Sequence, residues 1–114
     1  MKGDIYKIIN KKSKNFSGFG ELYLSSLNKG MSKGWNFHKK MTLNLFVVKG
    51  RVKFFLKRDK KVFRINLNED QNVILTIKPK VWVKMVNLSL KESKILNFAN
   101  LVHNKNEIIK KETI

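Results

Sequence analysis

Apolar residues in this chain fall in short runs divided by polar turns. The runs either alternate with a period of two or are continuous over strand length. Glu21 to Leu27 alternates weakly, with Leu22, Leu24 and Ser26 on one side and Tyr23, Ser25 and Leu27 on the other, after the turn Gly18-Phe19-Gly20. Leu43 to Val48 is a continuous apolar run, Lys49-Gly50 a tight turn, and Val52 to Leu56 the strand that pairs back. Arg58-Asp59-Lys60-Lys61 turns the chain into Val62 to Leu67, which alternates cleanly. After the polar loop Asn68-Glu69-Asp70 comes Val73 to Ile77, closed by Pro79, which cannot donate to a central ladder. Val81 to Val86 and Ile95 to Ala99 complete the set. At the ends, Met1 to Asn15 holds one apolar cluster (Ile5, Tyr6, Ile8, Ile9), read as an edge strand that completes a dimer. Asn106 to Ile114 is read as a short helical tail or a frayed end. Strands this short and this often turned predict an all-β antiparallel sandwich or barrel rather than a βαβ fold.

Composition narrows the class. The 114 residues suit one domain, with a core from about 20 to 107, burying about two-thirds of the unfolded surface. A hydrophobic content of 42% argues against disorder, and the absence of cysteine removes thiol catalysis, disulfides and thiolate metal sites. No apolar run approaches the roughly 18 residues of a membrane span, and the N-terminus lacks a signal-peptide core. A cytoplasmic protein without a membrane partner is expected.

The net charge of +17 (25 Lys and Arg against 8 Asp and Glu) calls for an anionic partner. The positive charge is nearly all lysine, spread along the chain rather than gathered on one predicted face, and a bias toward Lys, Asn and Ile also feeds it. The aromatics and lysines interleaved over Val52 to Lys57 have the pattern of a single-strand-binding sheet, but no RNP-like motif accompanies them. Specific nucleic-acid binding is therefore not expected; a nucleotide diphosphate sugar would satisfy the charge equally well.

The candidate chemistry centres on Gly34-Trp35-Asn36-Phe37-His38, which precedes the Leu43 to Val48 run and its Gly50 turn. The block resembles the first cupin signature, G-x5-H-x-H-x3,4-E-x6-G. His38 falls at its second histidine, Asn36 at the first and Leu43 at the glutamate. The second cupin block falls on Asn72 to Asn87, with Asn87 at its closing Asn and Val83 at its histidine. A stable metal site needs three or four ligands, so no metal and no other cofactor is expected. A histidine inside a small barrel can serve as a general base. Trp35 and Trp82 are read as aromatics near the barrel mouth that stack on a nucleotide base or sugar.

Longer segments are similar to one enzyme family. Lys33-Gly34-Trp35-Asn36-Phe37-His38-Lys39-Lys40-Met41-Thr42-Leu43-Asn44-Leu45 resembles the K-G-W-x-x-H-x-x-M-T-x-N-L block of small proteins classed with the dTDP-4-dehydrorhamnose 3,5-epimerases. Pro79-Lys80-Val81-Trp82 resembles their P-P-x-x-W turn. Ile95-Leu96-Asn97-Phe98-Ala99-Asn100, with His103 and Glu107, resembles their L-N-I-A-x-x-P-H-D-P-x-E ending. The block also resembles the G-x-H-A-H-K-K of sugar-nucleotide 3,4-ketoisomerases.

The resemblance implies a metal-free cupin jelly roll, a homodimer, that moves protons beside the 4-keto group of a nucleotide-activated deoxysugar in surface-polysaccharide synthesis. It implies His38 as base with Lys40 beside it, and Trp35, Asn36, Asn44, Trp82, Lys84 and His103 as substrate contacts. The family's acid is a tyrosine. None follows His38, and the two present are Tyr6 and Tyr23, which leaves Lys40, Lys84, water or Tyr23 for that role. The alternative reading is a non-catalytic cupin that binds a sugar nucleotide or a partner protein.

Overall fold

A computed structural model describes residues 3–114. The chain forms β1 (Glu21–Leu27), β2 (Ser32–His38), β3 (Leu43–Lys49), β4 (Arg51–Arg58), β5 (Lys61–Asn68), β6 (Leu75–Ile77), β7 (Trp82–Asn87), β8 (Ser93–Ala99) and β9 (Ile108–Lys110). Among the described residues there is no helix, and hence none long and apolar enough to cross a membrane. Two sheets face each other. Sheet A runs β1-β8-β3-β6 and sheet B runs β5-β4-β7-β2-β9. Every strand pair is antiparallel, so the barrel expected from the turn spacing is the fold observed.

The hydrophobic pattern explains which strand goes where. β5 alternates because one of its faces meets water. β3 departs from alternation because both of its faces are covered from Leu43 to Val47: Leu43, Leu45 and Val47 enter the core, while Asn44 and Phe46 face outward under another segment. That segment is residues 3–20, which form no strand and instead lie against the outer face of sheet A. Tyr6 stacks on Phe46 with centroids 5.6 Å apart, and Phe16 packs on Phe98 at 6.0 Å. The edge strand expected at this end is thus replaced by a strap; Met1 and Lys2 lie outside the described residues. Pro79 follows β6, which is the edge of sheet A, where its missing N–H costs no ladder bond.

Two further elements depart from the sequence reading. Residues 32–38 are a full strand, so His38 closes a strand of its own as well as preceding β3. The expected helical or frayed tail contains β9, which pairs with β2 through Asn36↔Lys110, Phe37↔Ile109 and His38↔Ile108. Both strands are poor in the apolar alternation by which the others are recognised, and each forms because a neighbouring edge offers it a ladder.

The end of the barrel at the β3–β4 turn is tied by one side chain. Asn87 is 4% exposed, and its amide donates to the carbonyls of Leu27 (2.9 Å), Asn28 (3.1 Å) and Lys91 (2.8 Å). Its Oδ1 accepts from the Ser89 N–H (2.8 Å) and the Ser93 hydroxyl (2.6 Å). Gly50 turns beside this knot at φ 88°, where a Cβ would collide with Ser93 Oγ. Asn87→Ala would strand several buried polar groups, each costing about 1–3 kcal/mol. We expect the variant to lose about 3 kcal/mol or more in urea denaturation, whereas Asn66→Ala on the exposed face of β5 should change stability by less than about 0.5 kcal/mol.

Candidate functional site

Between the sheets, at the end formed by β1, β2 and β9, lies a cavity of about 420 Å³, within the size range of small-molecule sites. Its deep wall is apolar, from Leu43, Leu45, Ile77, Val83 and Met85. Polar groups enter from β1 (Glu21, Tyr23), β2 (Lys33, Asn36, His38), β8 (Asn97), β9 (Lys110) and the loop before β9 (His103).

The β1 contribution follows from simple alternation. Glu21, Tyr23, Ser25 and Leu27 share the inward face, opposite Ala99, Asn97, Ile95 and Ser93. In β2 alternation alone would fail, since residues 33 and 36 have opposite parity. The pairing with β7 shifts register between Gly34 and Asn36: Gly34 lies opposite Lys84 and Asn36 opposite Val83, with Trp35 as the extra residue. The bulge turns Lys33, Asn36 and His38 into the same cavity and sends Trp35 and Phe37 outward. It needs glycine at position 34, where φ is 120° and a Cβ would stand 2.6 Å from the Val83 carbonyl oxygen.

His38 is the buried titratable group of the cavity, 4% exposed. Its backbone is pinned: its carbonyl accepts from Lys80 N–H at 2.7 Å, and the next amide, Lys39, donates to Glu107 at 3.0 Å. Its Nδ1, by contrast, is the one buried side-chain N or O among the described residues without a hydrogen-bond partner. Asn97, on the same wall, is committed to structure, since its amide donates to Ser25 Oγ and the Ile95 carbonyl, both at 2.9 Å. The backbone at His38 is thus held firmly, while one buried ring nitrogen is left without a partner.

Electrostatics set its protonation. Burial pushes the His38 pKa below the ordinary histidine value. Glu107 opposes that shift, while His103 and Lys33 add to it. The imidazole is therefore neutral near pH 7 and able to take a proton. Burial, with help from Glu21, raises the Tyr23 phenol above its ordinary value, so it stays protonated and able to donate. Lys33 is lowered by burial and by Lys110. Burial opposes but does not prevent the lowering of Glu107, whose carboxylate accepts the Lys40 and Met41 amides and feels His38 and Lys40. That carboxylate ties the loop carrying His103 to the β2–β3 turn, and Glu21 accepts the His103 N–H at 2.8 Å.

Of the residues expected at the site, the structure brings His38, Asn36 and His103 together. Lys40 is exposed in the β2–β3 turn and does not line the cavity. Trp35, Trp82 and Lys84 sit on the outer face of sheet B, because the inward positions of β7 are Val83, Met85 and Asn87. Asn44 faces outward from sheet A, donating to the Asn15 carbonyl at 3.0 Å and accepting from Thr76 Oγ1 at 2.6 Å, and so anchors the N-terminal strap. Sequence reasoning passed over Glu21, Lys33, Asn97 and Lys110. The parity of β1 could have supplied Glu21 with Tyr23; the bulge hid Lys33. Among the described residues no three His, Cys, Asp or Glu side chains are grouped to hold a metal ion, and Asn36, Leu43 and Val83 stand on the cavity wall.

Residues 1–113 match the family described as WxcM-like, C-terminal (FdtA). No curated protein matches the chain significantly. Among solved structures, a dTDP sugar isomerase from Desulfovibrio desulfuricans G20 superposes with a TM-score of 0.88 at 23% identity, over 94% of this chain and 73% of that one. QdtA, a sugar 3,4-ketoisomerase from Thermoanaerobacterium thermosaccharolyticum solved with TDP, gives 0.74 at 27% identity, over 82% and 68%. A dTDP-4-dehydrorhamnose 3,5-epimerase from Elizabethkingia anophelis NUHP1 gives 0.81 at 14% identity, over 96% and 67%.

The burial of His38 makes stability depend on pH in a defined sense. Its folded-state pKa lies below that of the unfolded chain, about 6.5, so the native state binds fewer protons just beneath that pH. The stability tied to a neutral His38 is fully present above pH 6.5 and is lost as pH falls below it. The urea midpoint should therefore drop between pH 7.5 and 5.0, and His38→Asn should flatten that drop. Glu107 is lowered from its ordinary carboxylate value and so titrates beneath this window.

Proposed function

The chain belongs to the WxcM-like, C-terminal family, and we propose that it is a sugar-nucleotide isomerase or epimerase that moves protons beside the ketone of a dTDP-type 4-keto-6-deoxysugar. The observation that carries this reading is the neutral, buried His38 with an unpartnered Nδ1, facing a cavity whose rim bears both cations and a protonated phenol. The ligands of the neighbours support the substrate class: QdtA has been solved with TDP, and a variant of it with TDP-4-keto-6-deoxyglucose.

In this reading His38 removes the proton on the carbon next to the ketone, and the C–H electrons move onto the carbonyl oxygen as an enolate. Such a proton is acidic enough for a neutral imidazole when the oxygen meets a donor or cation. Tyr23 and Lys33 line the same space and supply those groups; Tyr23 takes the role of acid among the alternatives that the sequence left open. Returning the proton to the opposite face of the same carbon is epimerisation. Where that carbon bears a hydroxyl, the hydroxyl proton passes to the enolate oxygen, and delivering the abstracted proton to the former carbonyl carbon then leaves the ketone on the neighbouring carbon, one position along. Lys110 and His103 at the exposed rim meet the diphosphate, and Asn36 contacts the sugar. The step runs without a metal, a reading supported by the donor set around His38, and it serves deoxysugar supply for surface polysaccharide. The working form is a homodimer, supported by the edge strand β1, whose Leu22 and Leu24 are each 52% exposed.

Incubating the protein with dTDP-4-keto-6-deoxyglucose in deuterated water should place deuterium on ring carbons beside the ketone. His38→Asn keeps the size and polarity but lacks the base, and should slow exchange by about 100-fold or more. Equal, slow exchange in both, with the sugar nucleotide still bound, would favour the non-catalytic binding module, a reading to which Asn36 and Val83 at two of the three histidine positions lend weight. Metal analysis of the active, untagged protein should find no stoichiometric Zn, Fe, Mn or Ni; one full equivalent of any would overturn the metal-free mechanism.

A further inference from the structure

The outer face of sheet B carries an arrangement that the cavity does not use. Val52 and Phe54 of β4 are buried in the core, so Lys53, Phe55 and Lys57 point the other way. Register carries that face across the sheet: Arg64 and Lys84 flank Phe55 on β5 and β7, Trp82 lies beside Lys57, and Phe37 lies beside Trp82. The β2 bulge adds Trp35, and Lys111 follows at the end of β9. The rings are half-buried rather than covered. Trp35 meets Phe55 edge-on with centroids 6.3 Å apart, and Phe37 tilts against Trp82 at 5.0 Å. Cations already rest on the π-faces. Lys53 Nζ lies 5.5 Å and the Arg64 guanidinium 5.7 Å from the Phe55 centroid, and Lys111 Nζ lies 5.6 Å from that of Trp82.

The charge of this face is one-sided. The five strands of sheet B contain no Asp or Glu at all. Glu112, just past β9, borders the groove beside Trp35 and is the acid at its margin. A matching ligand must offer negative charge and flat π-surfaces in alternation. Single-stranded nucleic acid does so, with one phosphate and one base per residue, and stacking tolerates any base. An anionic lipid surface or an acidic peptide supplies the charge without the rings. A second copy of this face would bring like charges together.

We propose that the outer face of sheet B binds single-stranded nucleic acid without sequence preference, its bases stacking on Trp35, Phe55 and Trp82 and its phosphates meeting Lys53, Lys57, Arg64 and Lys84. Five strands at about 4.8 Å spacing give a platform about 19 Å across, room for a short stretch of strand. None of these seven residues lines the cavity, and the proposal is independent of the isomerase chemistry.

The chain's two tryptophans, Trp35 and Trp82, both lie on this face, so binding has an intrinsic optical readout. Fluorescein-labelled dT12 titrated with the full chain at 50 mM NaCl should give an anisotropy rise together with quenching of tryptophan emission. With about four phosphates neutralised, affinity should fall about fifty-fold between 50 and 200 mM NaCl. Phe55→Leu keeps bulk but removes a π-face, and should weaken binding at least fivefold. The pair Lys57→Gln and Lys84→Gln should flatten the salt slope by about 1.4, and His38→Asn should bind dT12 as wild type does. Circular dichroism confirms that each variant is folded.

Four binding results would overturn the proposal. They are no anisotropy change at 50 mM NaCl, binding without quenching, duplex DNA bound as tightly as dT12, or phosphatidylserine vesicles competing through the same lysines. A dimer that shields both tryptophans from acrylamide in the free protein would also overturn it, by assigning the face to self-association.

Discussion

The register shift in β2 is the constraint on which both faces of sheet B depend. A regular strand would divide Lys33, Asn36 and His38 between the two sides of the sheet. With Trp35 as the extra residue, all three turn inward and both Trp35 and Phe37 turn outward. The bulge in turn depends on Gly34, because φ at that position is one that L side chains rarely adopt, and the Val83 carbonyl leaves no room for a Cβ. A single backbone irregularity therefore sets the polar wall of the cavity and the aromatic surface behind it.

Inside the barrel, the chemistry follows from unequal satisfaction of buried polar groups. Asn87 and Asn97 spend their amides on carbonyls and hydroxyls, and so serve the fold. His38 is as buried as they are, yet retains an unpartnered nitrogen. A buried polar atom without a partner costs free energy, and such costs are concentrated where a ligand completes the hydrogen bonding. Burial lowers the imidazole and raises the phenol across one cavity, which separates a base from an acid near neutral pH.

The excess of lysine looked diffuse along the chain and acquires a direction in the fold. Acidic residues are confined to loops, turns and the tails, apart from Glu21 at the start of β1. The strands of sheet B consequently present cations alone, interleaved with rings. Even spacing in sequence becomes clustering in space, because the outward positions of four adjacent strands are brought into register.

The sequence by itself determined the all-β class and seven of the nine strands found among the described residues, and it singled out His38 and Asn87 by their places in short signature blocks. These rest on local period and on short blocks of fixed spacing. It also kept Tyr23 among the candidate acids, since Tyr6 and Tyr23 are the two tyrosines present. Only the tertiary structure decided that β2 and β9 are strands, since both owe their ladders to neighbouring edges rather than to their own apolar pattern. It alone decided which side of sheet B each residue takes. Trp35, Trp82 and Lys84 stand near His38 in sequence or in pairing, yet lie behind the sheet, and Asn44 ties down the N-terminal strap. The physical reason is that side-chain direction along a strand is set by counting residues, and one bulge changes the count without leaving a mark that composition or periodicity can report.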